Sequence, residues 1–268
     1  MEFATTLVQM PCKEGDPDYN FARARWLLEN HSTNTPMEFI VLPELFAIGF
    51  RHADYPKIGP GIPGRTTQFL QDLAEEHSAY TIGTGIESAD DELFYNTLVV
   101  ASPEGKIVAQ YRKIHPFQEE KDVFRGGESL ALLDLEGIVV GLEICYDIRF
   151  PEATRKLALE GAELIVIPAA FPDPRSEHWN ALLLGRAIEN QLFVAATNRV
   201  GYGFDGKTYF GHSQTIDPWG VRLTRINSAE RVITDISDTA MVRSVRDQIT
   251  CYQDIAPSGY DTVKRFKA

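Results

Sequence analysis

"GLEICYDIRFPE", residues 141–152, decides how this chain is read. The run from Ile138 to Ile144 is almost continuously apolar, with Glu143 its one interruption, and it stops at Cys145. Pro151 then suits the first turn of a helix and Gly161 its end. A corner between strand and helix exposes a side chain, whereas most free cysteines are packed away as small hydrophobes. A cysteine at this corner therefore points to chemistry. Its place near a helix N-terminus predicts that thiolate is favoured over thiol.

Outward from this corner, short apolar runs alternate with amphipathic stretches. "FATTLVQM", "FIVLP", "YTIGTGIES", "YNTLVVAS", "KIVAQYRK", "GIVVGLEI", "ELIVIPAA" and "LFVAATNRV" read as strands. "YNFARARWLLENH", "GRTTQFLQDLAEEH", "PEATRKLALEG" and "SEHWNALLLGRAIENQ" read as helices. Residues 114–129 read as irregular, and "FGHSQTIDPWG", "RVITDISD" and a short tail close the chain. This alternation predicts an α/β sheet protein. "FIVLPE" is echoed by "LIVIPA", and "YTIGTGIES" by "VVGLEICYD", which suggests two related β-α-β halves. No low-complexity linker divides them, so the expectation is one domain over residues 1–268.

Composition narrows the function. The chain has 268 residues, 44% hydrophobic and 24% charged, with a formal net charge of −12. That balance fits a globular protein and argues against nucleic acid or an anionic membrane as the main partner. The N-terminus lacks a basic, apolar leader pattern, and no apolar run approaches membrane-spanning length. Cys12, Cys145 and Cys251 are few and widely spaced, which fits a reducing, cytoplasmic setting. The six histidines show no ligand spacing, so neither a metal nor a cofactor is expected.

Two further strand ends carry chemistry. "FIVLP" delivers Glu44 and "IVAQYR" delivers Lys113, and strand C-termini are where α/β sites assemble. Alone, Glu44 reads as a cap and Lys113 as a solvated strand end. Together with Cys145 they supply a base, a cation for an oxyanion and a nucleophile. A lysine between two acids keeps its charge.

At these residues the sequence resembles the carbon–nitrogen hydrolase (nitrilase) superfamily, through "VLPELFAIGF", "YRKIHPF" and "EICYDIRFPE". The likeness extends through "AFPDPRSEHW", "RAIENQLFVAATNRVG" and "GHSQTIDPWG". It implies a four-layer α-β-β-α sandwich that forms a homodimer, and a Glu44-Lys113-Cys145 triad. It also implies a second glutamate after the lysine, taken as Glu120 at seven positions' distance, with Glu119 left open. "CYD" looks like the amidase branches, and the "AF…HW" and "GHS…PWG" segments look like the omega-amidase group. The implied substrate is a small amide, attacked with water as acceptor, whose far end carries a carboxylate.

Arg175 is the candidate clamp for that carboxylate. Phe171 is placed beside it in the pocket, and Tyr146 is assigned a backbone N–H on the oxyanion. Asp147 and Arg149 read as local pairing at the elbow, and His178 and Trp179 as structural. Three rivals remain: a Cys-His enzyme using His115 or His178, a dinucleotide enzyme using "GTG" at Gly83–Gly85, and a silent binding module. The first leaves Glu44 and Lys113 idle, the second lacks its third glycine, and an intact triad disfavours the third.

Overall fold

The computed structural model describes residues 1–135, 137–204 and 206–265. The chain begins β1 (Glu2–Gln9), α1 (Pro17–Glu29), β2 (Phe39–Val41), α2 (Tyr55–Ile58), α3 (Arg65–His77), β3 (Tyr80–Ser88), β4 (Phe94–Ala101), β5 (Ile107–Arg112). It continues β6 (Ala131–Leu135), β7 (Ile138–Leu142), α4 (Pro151–Leu159), β8 (Leu164–Ala169), α5 (Ser176–Asn190), β9 (Phe193–Asn198). The last elements are β10 (Val200–Tyr202), β11 (Thr208–Phe210), β12 (Gln214–Ile216), β13 (Arg231–Asp238) and α6 (Ala240–Gln248).

Among the described residues one sheet runs β13-β1-β2-β3-β4-β5 and a second runs β12-β9-β8-β7-β6, with β10 and β11 a separate hairpin. The sheets face each other: the Phe3 and Phe193 rings meet edge-on at 5.5 Å. Thr197 Oγ1 donates across the gap to the Val41 carbonyl at 3.1 Å. Strand period sorts the side chains. Phe39 and Val41 of β2 enter the core between the sheets, whereas Ile40 enters the core beneath α1 and α3. Helix α3 contributes Phe69, Leu70, Leu73 and Ala74 to that outer core as one apolar stripe. Each fully buried side chain of this size stabilises by about 1.5–3 kcal/mol. The result is an α-β-β-α sandwich, with α4 and α5 covering the second sheet.

The "GTG" of β3 has a packing explanation. A Cβ at Gly83 would come within 2.9 Å of the Phe46 ring and 3.0 Å of Leu70, so the missing side chain admits α3.

Three elements differ from the sequence expectation. "FGHSQTIDPWG" is not one strand, because Gly211 (φ 71°) and His212 (φ 59°) take left-handed backbone between β11 and β12. The tail contains α6, which buries Val242 and Val245. Residues 131–135 add β6, antiparallel to β7. No helix among the described residues is long and apolar enough to cross a membrane.

Candidate active site

Three chain ends from the two sheets meet in one place. Leaving β2, the chain delivers Glu44; leaving β5, Lys113; leaving β7, Cys145. The "FIVLPE" and "LIVIPA" segments meet there too: the Glu44 N–H donates to the Ala169 carbonyl at 3.4 Å, and the Ala170 N–H donates to Glu44 Oε2 at 3.1 Å.

Lys113 Nζ donates to Glu44 Oε1 at 2.7 Å and to Glu120 Oε2 at 2.8 Å. Burial alone would lower the ammonium's pKa, but the Glu120 and Glu44 carboxylates outweigh it and hold Lys113 well above the ordinary lysine value. Glu120 is buried in the short turn Gln118–Asp122 and is fixed by the Phe117 N–H at 3.0 Å. Desolvation raises it above the usual carboxylate range, and Lys113 opposes that rise. Glu119 beside it is exposed, so Glu120 is the acid that reaches the lysine. Sequence reasoning missed Asn96: its Nδ2 donates to Glu44 Oε1 at 2.8 Å, and its carbonyl accepts from the Lys113 N–H at 2.9 Å.

Cys145 adopts φ 46°, a left-handed conformation strained for a residue with a side chain. A tight turn, Cys145–Arg149, separates it from the start of α4 at Pro151. The expected thiolate is corrected here. The thiol is raised well above the ordinary cysteine value, first by burial and then by the Glu44 charge, with Lys113 pulling the other way. Desolvation overrides the helix terminus because that terminus lies beyond the turn. Glu44 is also the hydrogen-bond acceptor acting on the thiol. Burial thus favours the thiol form of Cys145 over the thiolate, with the Glu44 side chain beside it.

The pairing expected between Asp147 and Arg149 at the elbow is replaced by two separate contacts. Asp147 is buried, and its Oδ2 accepts from the Ile144 N–H at 3.0 Å and the Tyr111 hydroxyl at 2.8 Å. Its Oδ1 lies 2.7 Å from His115 Nδ1. His115, stacked at 3.5 Å on Phe150, is therefore committed to Asp147. Arg149 turns elsewhere, its guanidinium 5.1 Å from the Phe171 ring and its Nη2 3.3 Å from His178 Nδ1. Trp179 is fully buried and donates from its indole to the His212 carbonyl at 3.0 Å.

Cys145 and Glu120 open onto a cavity of about 310 Å³. Tyr146, Phe171 and Arg175 line it, together with Arg149 and Lys207, which the sequence did not single out for this role. Phe171 is pinned by Asn198, whose Oδ1 accepts from the Phe171 N–H at 2.7 Å. Arg175 caps the start of α5, half-buried, 5.6 Å from the Phe117 ring. Aromatic faces and cations on one cavity suit a short acyl chain ending in an anion.

Comparison with known proteins places the chain in a family. The carbon-nitrogen hydrolase family matches residues 4–247. The 2-oxoglutaramate amidase of Bacillus subtilis (strain 168) is 34% identical over 263 residues, covering 97% of this chain and all of that one. The human omega-amidase NIT2 is 31% identical, covering 94% of each chain. The crystal structure of Saccharomyces cerevisiae Nit3, a member of branch 10 of the nitrilase superfamily, superposes with a TM-score of 0.84. It is 28% identical, with 92% of this chain and 94% of that chain covered. With the sandwich in place and the family matched over most of its length, the chain belongs to the carbon–nitrogen hydrolases.

Proposed function

We propose that the chain is a cysteine-dependent amidase that hydrolyses the terminal amide of a small carboxylate-bearing acid, of the 2-oxoglutaramate or succinamate type. The observation that carries this reading is the buried Glu44–Lys113–Glu120 cluster against Cys145, at a cavity that also holds Arg149, Arg175 and Lys207. The relatives named above support the substrate class.

In this mechanism Glu44 takes the Cys145 proton as Sγ bonds to the amide carbon. The Lys113 ammonium and the Tyr146 N–H meet the oxyanion, and each such donor is worth about 3–4 kcal/mol in the transition state. Glu44 passes its proton to nitrogen as the C–N bond breaks, and ammonia leaves. Water then adds to the thioester while Glu44 takes its proton, and that proton returns to sulfur as the C–S bond breaks. Glu120 keeps Lys113 charged and in place throughout. The proton moves within a buried group, so no net charge is created in the low-dielectric site.

Homodimerisation and a cytoplasmic setting belong to the same proposal, on the family resemblance, and light scattering tests the former. Ammonia release from a panel of dicarboxylic monoamides, N-carbamoyl amino acids and nitriles tests the activity. Turnover of monoamides above the other classes is expected. Preference for a nitrile or a carbamoyl compound overturns the substrate class, and turnover of none overturns the enzyme reading.

A further inference from the structure

Part of the cavity wall comes from two loops remote from the elbow in sequence. The loop after β2 supplies Phe50 and His52, and the β10–β11 hairpin supplies Phe204, Lys207 and Tyr209. Between these loops lies a buried ion pair that the reaction does not use. Glu14 Oε1 stands 2.7 Å from Arg199 Nη1, and the arginine side chain is 1% exposed.

Each partner hydrogen-bonds to one of the two loops, and Arg199 also reaches the segment after β1. Glu14 Oε2 accepts from the Phe50 N–H at 2.6 Å and the Arg51 N–H at 3.1 Å. Arg199 Nη2 donates to the Cys12 and Tyr202 carbonyls, both at 2.8 Å, and its guanidinium lies 4.4 Å from the Tyr209 ring. Between Glu14 Oε1 and Arg199 Nη1 themselves there is contact without hydrogen-bond geometry.

Gly49 is shaped to this arrangement. It has φ +72°, and a Cβ there would fall 2.0 Å from Glu14 Oε2. A buried ion pair is weak evidence for stability, since desolvation offsets its attraction. A pair whose acid holds the 50–52 loop and whose arginine holds the hairpin at Tyr202 is a tie between the two.

We infer that Glu14 and Arg199 are positioning residues: they fix the wall formed by the 50–52 loop and the β10–β11 hairpin, and so set which acyl groups reach Cys145. The inference needs Cys145 to open onto this cavity and does not depend on which bond the enzyme cleaves.

The test reads access to the sulfur. Wild type, Glu14→Gln and Arg199→Lys are alkylated with iodoacetamide and with the bulkier N-benzyl iodoacetamide, and Cys145 modification is followed by mass spectrometry. The iodoacetamide rate is expected to hold within about twofold, while the ratio of the bulky to the small reagent shifts by about fivefold or more, as displaced walls change approach geometry. Gly49→Ala, which keeps both charges but pushes the carboxylate aside, should shift the ratio likewise, and it decides the matter if either pair variant fails to fold. An unchanged ratio alongside a lowered Tm would make the pair purely structural and overturn the inference. Equal slowing with both reagents would place its effect on the reacting centre and overturn it as well. Absence of turnover on every amide would sink the amidase reading without altering this readout.

Discussion

Asp147 Oδ1 lies 2.7 Å from His115 Nδ1, so the residue two places after Cys145 grips the residue two places after Lys113. This contact joins the end of β7 in one sheet to the end of β5 in the other. The sulfur and the ammonium are thereby registered against each other by side chains that take no part in the proposed proton transfers.

Removing this grip leaves buried donors unpaired. Asp147→Ala orphans the Tyr111 hydroxyl and the Ile144 N–H. A loss of about 2–3 kcal/mol is expected in chemical denaturation, with a fall in kcat larger than any rise in KM. Unchanged kcat in a destabilised variant would show that the two sheets hold register without it.

With burial pushing the Cys145 thiol up, alkylation should depend on a base beside it. Cys145→Ala should abolish turnover. Glu44→Gln should slow iodoacetamide at Cys145 by about two orders of magnitude. Cys12 should stay unlabelled, because burial pushes its thiol up to about 12 and the cavity does not reach it. An ammonia-release assay checks the first and peptide mapping the other two, and undiminished labelling in Glu44→Gln would remove Glu44 as the base.

The far end of the substrate is tested by its charge. Arg149→Met should lower kcat/KM for succinamate by roughly ten- to a hundredfold, the worth of a charge-assisted hydrogen bond, and should leave butyramide nearly untouched. Arg175→Met should act in the same direction. Equal losses on both substrates would reduce the arginines to loop supports.

Glu143 predicts a pH signature in stability. It is fully buried, and desolvation lifts it from 4.5 to about 8. Thr154 Oγ1 donates to its Oε1 at 2.6 Å, and its Oε2 has no hydrogen-bond partner among the described residues. Below the unfolded value both states hold the proton and the group contributes no slope. Between 4.5 and about 8 only the folded state holds it. Stability should therefore fall as pH rises through that window, by about 1.4 kcal/mol per pH unit from this group, and level off above it. Glu143→Gln should flatten the slope in urea titrations run across the window, and an unchanged slope would contradict the burial argument.

The parts of the site legible in the sequence were those that interrupt a pattern. Glu44, Lys113 and Cys145 each end an apolar or alternating run, and a polar group at such a break is visible without coordinates. Asn96 was not, because it lies inside β4 where an inward polar residue looks like ordinary alternation. Arg149 was assigned to local pairing because spacing shows which residues are near in chain and not that Asp147 is taken by the opposite sheet. The upward push on the Cys145 thiol is not legible, because proximity to a helix start is local while desolvation depends on everything packed around the sulfur. Helix α6 is hidden for a related reason: its Val242 and Val245 make a thin stripe within a strongly charged tail.

The raised Cys145 thiol also bears on oxidative wear. Peroxides attack thiolates, and cysteines that sense or suffer oxidation combine a low pKa with open access. Cys145 lacks the first feature: burial and the Glu44 charge push its thiol up, although the sulfur faces the cavity. In the proposed mechanism the thiol loses its proton only as it attacks, which leaves little standing thiolate for sulfenic acid formation. The enzyme should therefore retain activity through peroxide concentrations that inactivate cysteine enzymes working from a permanent thiolate.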